Sequence, residues 1–158
     1  MKIAFTGHRP NKLGGYDDKT NKRTEVQKKI SKYIFNFFTF ALKEMSFISG
    51  MALGVDQWIA EFAIEKNIDF DAYIPFKGQE LAWPKSSQEH YHELLKKAKN
   101  IKYICEPGYA PWKMQKRNES MVNDCDILIA VWDGSSGGTA NCVKYAEKMK
   151  KTIYRIIP

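Results

Sequence analysis

The chain has 158 residues, 44% of them apolar and 13% aromatic, which suffices for one domain, residues 1–158, with a buried core and no staples. No stretch approaches the length of a membrane span, and the opening MKIAFTGHRP is too short and too polar for a signal peptide, so neither an anchor nor a membrane partner is expected. The formal net charge of +7 admits anionic partners; lysines at 28–29, 96–99 and 148–151 read as solvated helix faces, a nucleic-acid surface or a field that draws in anions.

Short β-rich runs alternate with longer helical ones. KIAFTG opens as a strand, and RTEVQKKISKYIFNFFTFALKEM, from residue 23, follows as a long helix. SFISG is the second strand and LGVDQWIAEFAIEKN the second helix; DFDAYIPF is the third strand and SSQEHYHELLKKAK the third helix. IKYICE is a strand, WKMQKRNESMVNDC a helix, DILIAVW the most apolar strand, NCVKYAEKMKK the last helix and TIYRIIP the closing strand. Strands alternating with helices require crossover connections. The expected class is therefore α/β: a Rossmann-like three-layer αβα sandwich around a mostly parallel sheet. DILIAVW lacks a period of two, as befits a strand buried on both faces.

YIFNFFTF, residues 33–40, has the aromatic content of a strand, yet Ile30, Ile34, Phe37, Phe38, Ala41, Leu42 and Met45 recur at helical spacing. So broad an apolar face packs in the core or extends through Tyr33 and Phe40 into a homo-oligomer interface, and a homodimer or larger closed assembly is expected. Cys105, Cys125 and Cys142 are odd in number and form no C-x-x-C pair, which argues for a reducing cytoplasm. His90 and His92 are two apart and point in different directions on a helix, so no structural metal is expected. No cofactor is expected either.

Open α/β sheets bind ligands beyond the carboxyl ends of their strands. After the first strand comes Thr6-Gly7-His8-Arg9-Pro10, and after the second Ser49-Gly50-Met51-Ala52-Leu53-Gly54-Val55-Asp56. The third is followed by Pro75-Phe76-Lys77-Gly78-Gln79, the fifth by Asp133-Gly134-Ser135-Ser136-Gly137-Gly138-Thr139. Small residues at a helix start let backbone N–H groups approach a phosphate, which the helix dipole also favours. Neither G-x-G-x-x-G nor the Walker pattern is present, which argues against a dehydrogenase or an ATPase. Arg9 and Arg117 offer planar forks for phosphate, whereas Asp56 and Asp133 hold ribose hydroxyls or, for Asp56, merely complement a helix start. Trp83 and Tyr109 stack on a base or pack against the protein.

Taken in order, TGHRP, SGMALGVDQWIAEFA, PFKGQELAWP, MQKRN..MV and D.LIAVWDGS.GGTAN resemble the YpsA-like branch of the SLOG superfamily, which includes the LOG phosphoribohydrolases and the Rossmann-like domain of DprA. The resemblance implies a Rossmann-like fold and a nucleotide or nucleotide-derived ligand. It marks as ligand-binding Gly7, His8, Arg9, Ser49, Gly50, Ala52, Gly54, Asp56, Arg117, Asn118, Asp133, Gly134, Ser135, Gly137, Gly138, Thr139 and Asn141. LOG enzymes carry R-K-x-x-M and then P-G-G-x-G-T-x-x-E. Arg117-Asn118-Glu119-Ser120-Met121 is similar to the first, and Gly138-Thr139 matches the G-T of the second, which sets Cys142 where the LOG glutamate stands. A thiol is a poor substitute for a carboxylate in stabilising an oxocarbenium-like state or activating water.

Three functions stay open. The first is a binding module that senses or sequesters a nucleotide, such as one derived from NAD or ADP-ribose. The second is a nucleoside-monophosphate N-glycosidase using another carboxylate, Asp133, Asp56 or Glu119. The third is DNA binding, against which the aromatics follow core patterns rather than interleaving with lysines.

Overall fold

The computed structural model describes residues 1–15, 21–38 and 44–158, apart from the side chains of 21–23, 35, 37 and 38. Its strands are β1 (Lys2–Gly7), β2 (Ser46–Ser49), β3 (Asp69–Ile74), β4 (Asn100–Tyr103), β5 (Ile127–Val131) and β6 (Thr152–Ile156). Its helices are α1 (Asn21–Phe38), α2 (Val55–Glu65), α3 (Lys85–Leu95), α4 (Pro111–Asp124) and α5 (Gly138–Lys148), with one 3-10 turn at Pro10–Lys12. The strands form one sheet in the order β4-β3-β2-β1-β5-β6. Every pairing is parallel, so the mostly parallel sheet expected from the chain is wholly so.

Alternation along the strands builds two cores. Ile3, Phe5, Phe47, Phe70, Ala72, Ile74, Ile129 and Val131 pack with residues of α1, α2 and α3. Ala4, Ile48, Tyr73, Leu128 and Ala130 pack with residues of α4 and α5 on the opposite face. β5 lies between both layers, which explains its unbroken apolar run: Leu128 and Ala130 serve one core, Ile129 and Val131 the other. The three layers are therefore α1–α3, the sheet, and α4–α5.

Several boundaries differ from the sequence reading. β3 ends at Ile74, because Pro75 has no N–H to continue the ladder, although its carbonyl still accepts from Cys105 N at 3.0 Å. β4 stops at Tyr103 and is an edge strand exposed at all four positions. The last helix begins at Gly138, three residues before Asn141. α1 is described to Phe38, and Met45 is buried just before β2. Tyr33 is half-buried and meets Tyr154 edge-on with ring centroids 5.7 Å apart; Phe40 lies outside the described residues. None of the described helices is long and apolar enough to cross a membrane.

This packing sets a stability prediction. Phe47 is fully buried, edge-on to Phe5 at 4.9 Å and stacked on Phe62 at 6.5 Å. Phe47→Ala should cost about 3–5 kcal/mol in urea unfolding, whereas Leu81→Ala, at a side chain 72% exposed, should stay within about 0.5 kcal/mol.

Candidate functional site

The chain runs outward from β1 through β2 and β3 to β4, then returns to the other side of β1 with β5. A switch point of this kind leaves a crevice beyond the strand ends. Here a cleft of about 260 Å³ opens over β1 and β5. The turn after β1 supplies Thr6 to Arg9 together with Asn11 and Lys12, and the β2–α2 connection supplies Ala52 and Asp56. α4 contributes Met114, Arg117 and Asn118, and Ser135 to Thr139 close the far side.

Arg117 forms the inner wall. It is only 5% exposed, and its Nη1 donates to the Gly50 carbonyl and, at 3.3 Å, to Asp56 Oδ2. Its Nε is buried with no hydrogen-bond partner. Burial works against both charges, pushing the Asp56 carboxyl up and the guanidinium down. The Arg117 charge, the Arg9 charge and the Ala52 amide pull Asp56 the other way. A Cβ at residue 50 would run into Arg117 Nη1 and Asp56 Oδ2, so a larger residue there would displace the pair. Ser49 Oγ completes the seat, donating to the Asp56 carbonyl at 2.7 Å and accepting from Met51 N at 3.1 Å.

His8 links the first and last loops. It is buried, and its Nε2 lies 3.2 Å from Asp133 N and 2.9 Å from Asp133 Oδ1. A neutral ring accepts from that amide, and a protonated ring donates to the carboxylate. Hydrogen bonds from the Ser135 side chain and amide, with a smaller contribution from His8, hold the Asp133 carboxyl well below the usual carboxylate range. Trp132 Nε1 donates to the Ser135 carbonyl at 2.7 Å, and Arg155 lies over the Trp132 ring while donating to the Trp132 carbonyl at 3.0 Å. The loop is thus tied down from both ends.

α5 starts with no side-chain cap, so the first N–H groups, those of Gly138, Thr139 and Ala140, have no partner within the helix. Asn141 N is the first to bond back, to the Gly137 carbonyl at 3.0 Å. Gly137 holds φ at +140°, a value L side chains rarely adopt. A Cβ on Gly138 would meet nothing within 4 Å. Asn118 Nδ2 donates to the Gly138 carbonyl at 3.4 Å and fixes this first turn against α4.

Of the residues singled out from sequence, Gly7, His8, Arg9, Ala52, Asp56, Arg117, Asn118, Ser135, Gly137, Gly138 and Thr139 line this one cleft. Ser49 and Gly50 stand behind it as the seat of Arg117. Gly54 caps α2 at φ +98°, where a Cβ would be 2.5 Å from the His8 carbonyl. Asp133, with 46% of its side chain exposed, sits beside the cleft on His8, and Gly134 backs onto Arg155. Asn141 is exposed on α5 outside the lining.

The acids considered for catalysis are dispersed. Glu119 accepts from Gln115 at 3.2 Å, pairs with Lys116 at 3.9 Å and is not part of the lining. Cys142 is fully buried in the α4–α5 core, and burial pushes its thiol up to about 12. Trp83 packs edge-on to Tyr91 at 5.4 Å, away from the cleft. Tyr109 is 73% exposed, with its ring edge on Phe76 at 6.2 Å. His90 faces Glu61 at 2.7 Å and His92 faces Glu80 at 3.3 Å. Sequence reasoning missed Asn11, Lys12 and Met114; the last was findable, because it precedes Arg117 by three residues and so shares its helix face.

Residues 3–157 match the family model YpsA, described as the YspA SLOG family. The chain is 37% identical over 130 residues to the uncharacterized SPbeta prophage-derived protein YoqJ of Bacillus subtilis (strain 168), covering 71% of this chain and 76% of that one. Two DNA processing proteins A, DprA, are similar in structure. For the Streptococcus pneumoniae protein the TM-score is 0.67 at 18% identity, over 99% of this chain and 50% of that one. For the Helicobacter pylori protein, in a structure concerned with single-stranded DNA binding, the TM-score is 0.69 at 17% identity, over 100% and 66%. The chain thus spans half of one DprA chain and about two thirds of the other, and at these identities the likeness establishes the fold.

Two outcomes follow from the buried groups. Asp56→Asn leaves the Arg117 charge buried without its counter-ion and should cost about 3–5 kcal/mol in chemical unfolding. A thiol reagent at pH 8 should label Cys105, which is partly exposed, and leave Cys125 and Cys142 untouched until the protein unfolds; rapid labelling of Cys142 in the folded state would contradict this placement.

Proposed function

The chain belongs to the YpsA SLOG family, and we propose that it binds the phosphate of a nucleotide or nucleotide-derived ligand in the β1–β5 cleft, as a sensor or sequestering module. The observation that carries the reading is the convergence of two donors. The open first turn of α5 faces a cleft whose inner wall is Arg117, a buried guanidinium with an unpartnered Nε. Backbone N–H groups at a helix start and a fixed planar fork together suit a phosphate. Asp56 is engaged by Arg117 and therefore acts as a counter-ion to it rather than as a ribose ligand.

An N-glycosidase needs a carboxylate at the reacting sugar. The position of the LOG glutamate is held here by a buried thiol, and Glu119 is turned to Lys116. Asp133 is the remaining acid beside the cleft, and its strongly lowered titration suits a hydrogen-bond acceptor more than a proton donor. The proposal is therefore binding without release of base. Single-stranded DNA binding has one support of its own: Tyr103, Tyr109 and Trp112 are exposed on a chain of net charge +7.

Calorimetry decides between these readings. Adenosine 5′-monophosphate should bind more tightly than adenosine, and Gly138→Asp should weaken the nucleotide by about tenfold to several hundredfold, the loss of one or two hydrogen bonds to a charged group. Gly138 has room for a side chain, so that variant keeps its fold. Arg117→Lys, which retains a charge beside Asp56 but loses the fork, should weaken it comparably. Equal affinity for nucleoside and nucleotide, release of free adenine, or tighter binding of an oligothymidylate would each overturn the proposal.

A further inference from the structure

The outer rim of the cleft carries charge that one phosphate at α5 leaves unmatched. Arg9 follows β1 directly, is exposed, lines the cleft and pairs with no carboxylate among the described residues. Lys12, three residues on, also lines the cleft and is exposed, and its ammonium donates to a neutral acceptor, Ser135 Oγ, at 2.6 Å. Both cations belong to one short, braced turn. Pro10 is buried and sets φ, Lys12 N donates to the Arg9 carbonyl at 3.0 Å, and Leu13 N donates to the Pro10 carbonyl at 2.9 Å, with the Leu13 side chain fully buried. Both cations line one cleft, and a bound anion offsets their mutual repulsion.

The rim and the inner wall lie within the span of one small molecule. Ser135, which Lys12 touches, precedes Gly138 by three residues, and three extended residues reach at most about 10 Å. Arg9 lies close enough to the inner wall to bear on the charges of both Asp56 and Arg117.

Resting on the phosphate reading above, we propose that the cleft accepts two linked phosphates: an inner one on the α5 start and Arg117, and an outer one on Arg9 and Lys12, which releases Lys12 from Ser135. The ligand class is a diphosphate ester rather than a monophosphate. Its outer phosphate replaces one cation-to-hydroxyl contact with contacts to two cations in which both partners are charged.

The test uses inorganic phosphate and pyrophosphate, which carry no base, in calorimetry on the whole protein. Pyrophosphate should bind the wild type about tenfold or more tightly than phosphate, the worth of one hydrogen bond to a charged group. In the double variant Arg9→Gln, Lys12→Gln both anions should weaken, but pyrophosphate more than phosphate, so that the advantage falls below about threefold. The charge-preserving pair Arg9→Lys, Lys12→Arg should retain it, which separates lost charge from lost fold. Equal binding of the two anions by the wild type would remove the outer subsite and leave the inner one standing. A pyrophosphate advantage that survives in the double glutamine variant would place the second phosphate elsewhere and overturn the proposal. Binding of neither anion would overturn the phosphate reading and this inference together.

Discussion

The ion pair between Arg117 and Asp56 ties together three segments that the chain brings in separately. Arg117 comes from α4, Asp56 from the first turn of α2, and the Gly50 carbonyl from the end of β2. Both bonds leave a single nitrogen, Nη1, which carries two N–H groups in the plane of the guanidinium. The cost of burying it is offset only if its partners are fixed, and they are: Ser49 and Ala52 hold Asp56 in place, and glycine at 50 clears the space. Once Arg117 is seated, its helix neighbour Asn118 holds the first turn of α5, and Met114 lines the wall one turn earlier.

The chemistry of the cleft follows from what this arrangement leaves available. Cations and the N–H groups that have no partner within α5 line the cleft, whereas Asp56 is paired with Arg117 and Asp133 is held by Ser135 and His8. Such a surface stabilises negative charge that is already present on a ligand. It is less suited to proton transfer, because among the described residues Asp56 and Asp133 are engaged as acceptors.

The layers of the fold were legible because β-rich and helical runs alternate along the chain, and the parallel sheet follows from the crossovers that this alternation requires. The loops were legible for a different reason. Glycine at 50, 54 and 137 answers a close approach or a left-handed backbone, and such positions leave a mark in sequence. The role of Asp56 was not legible, since a carboxylate two residues after a glycine reads equally as a ribose ligand, a helix-start complement or a buried counter-ion. Only the arrival of Arg117 from 61 residues away decides it. Lys12 was missed because it lies on a 3-10 turn, too short to show a period, and meets Ser135 across 123 residues. The exposure of Tyr103 was hidden too, because it depends on β4 being an edge strand, a property of strand order and not of local composition.

The central claim is that a phosphate sits between the α5 start and Arg117. Nitrogen-15 NMR of the 158-residue protein reads both partners directly, through the backbone amides of Gly138 and Thr139 and the side-chain Nε–H of Arg117. Titration with adenosine 5′-monophosphate should shift these three signals together along one saturating curve, and adenosine should leave them where they are. If the nucleotide binds while these signals stay still, or if adenosine moves them equally, the phosphate does not lie there and the account fails.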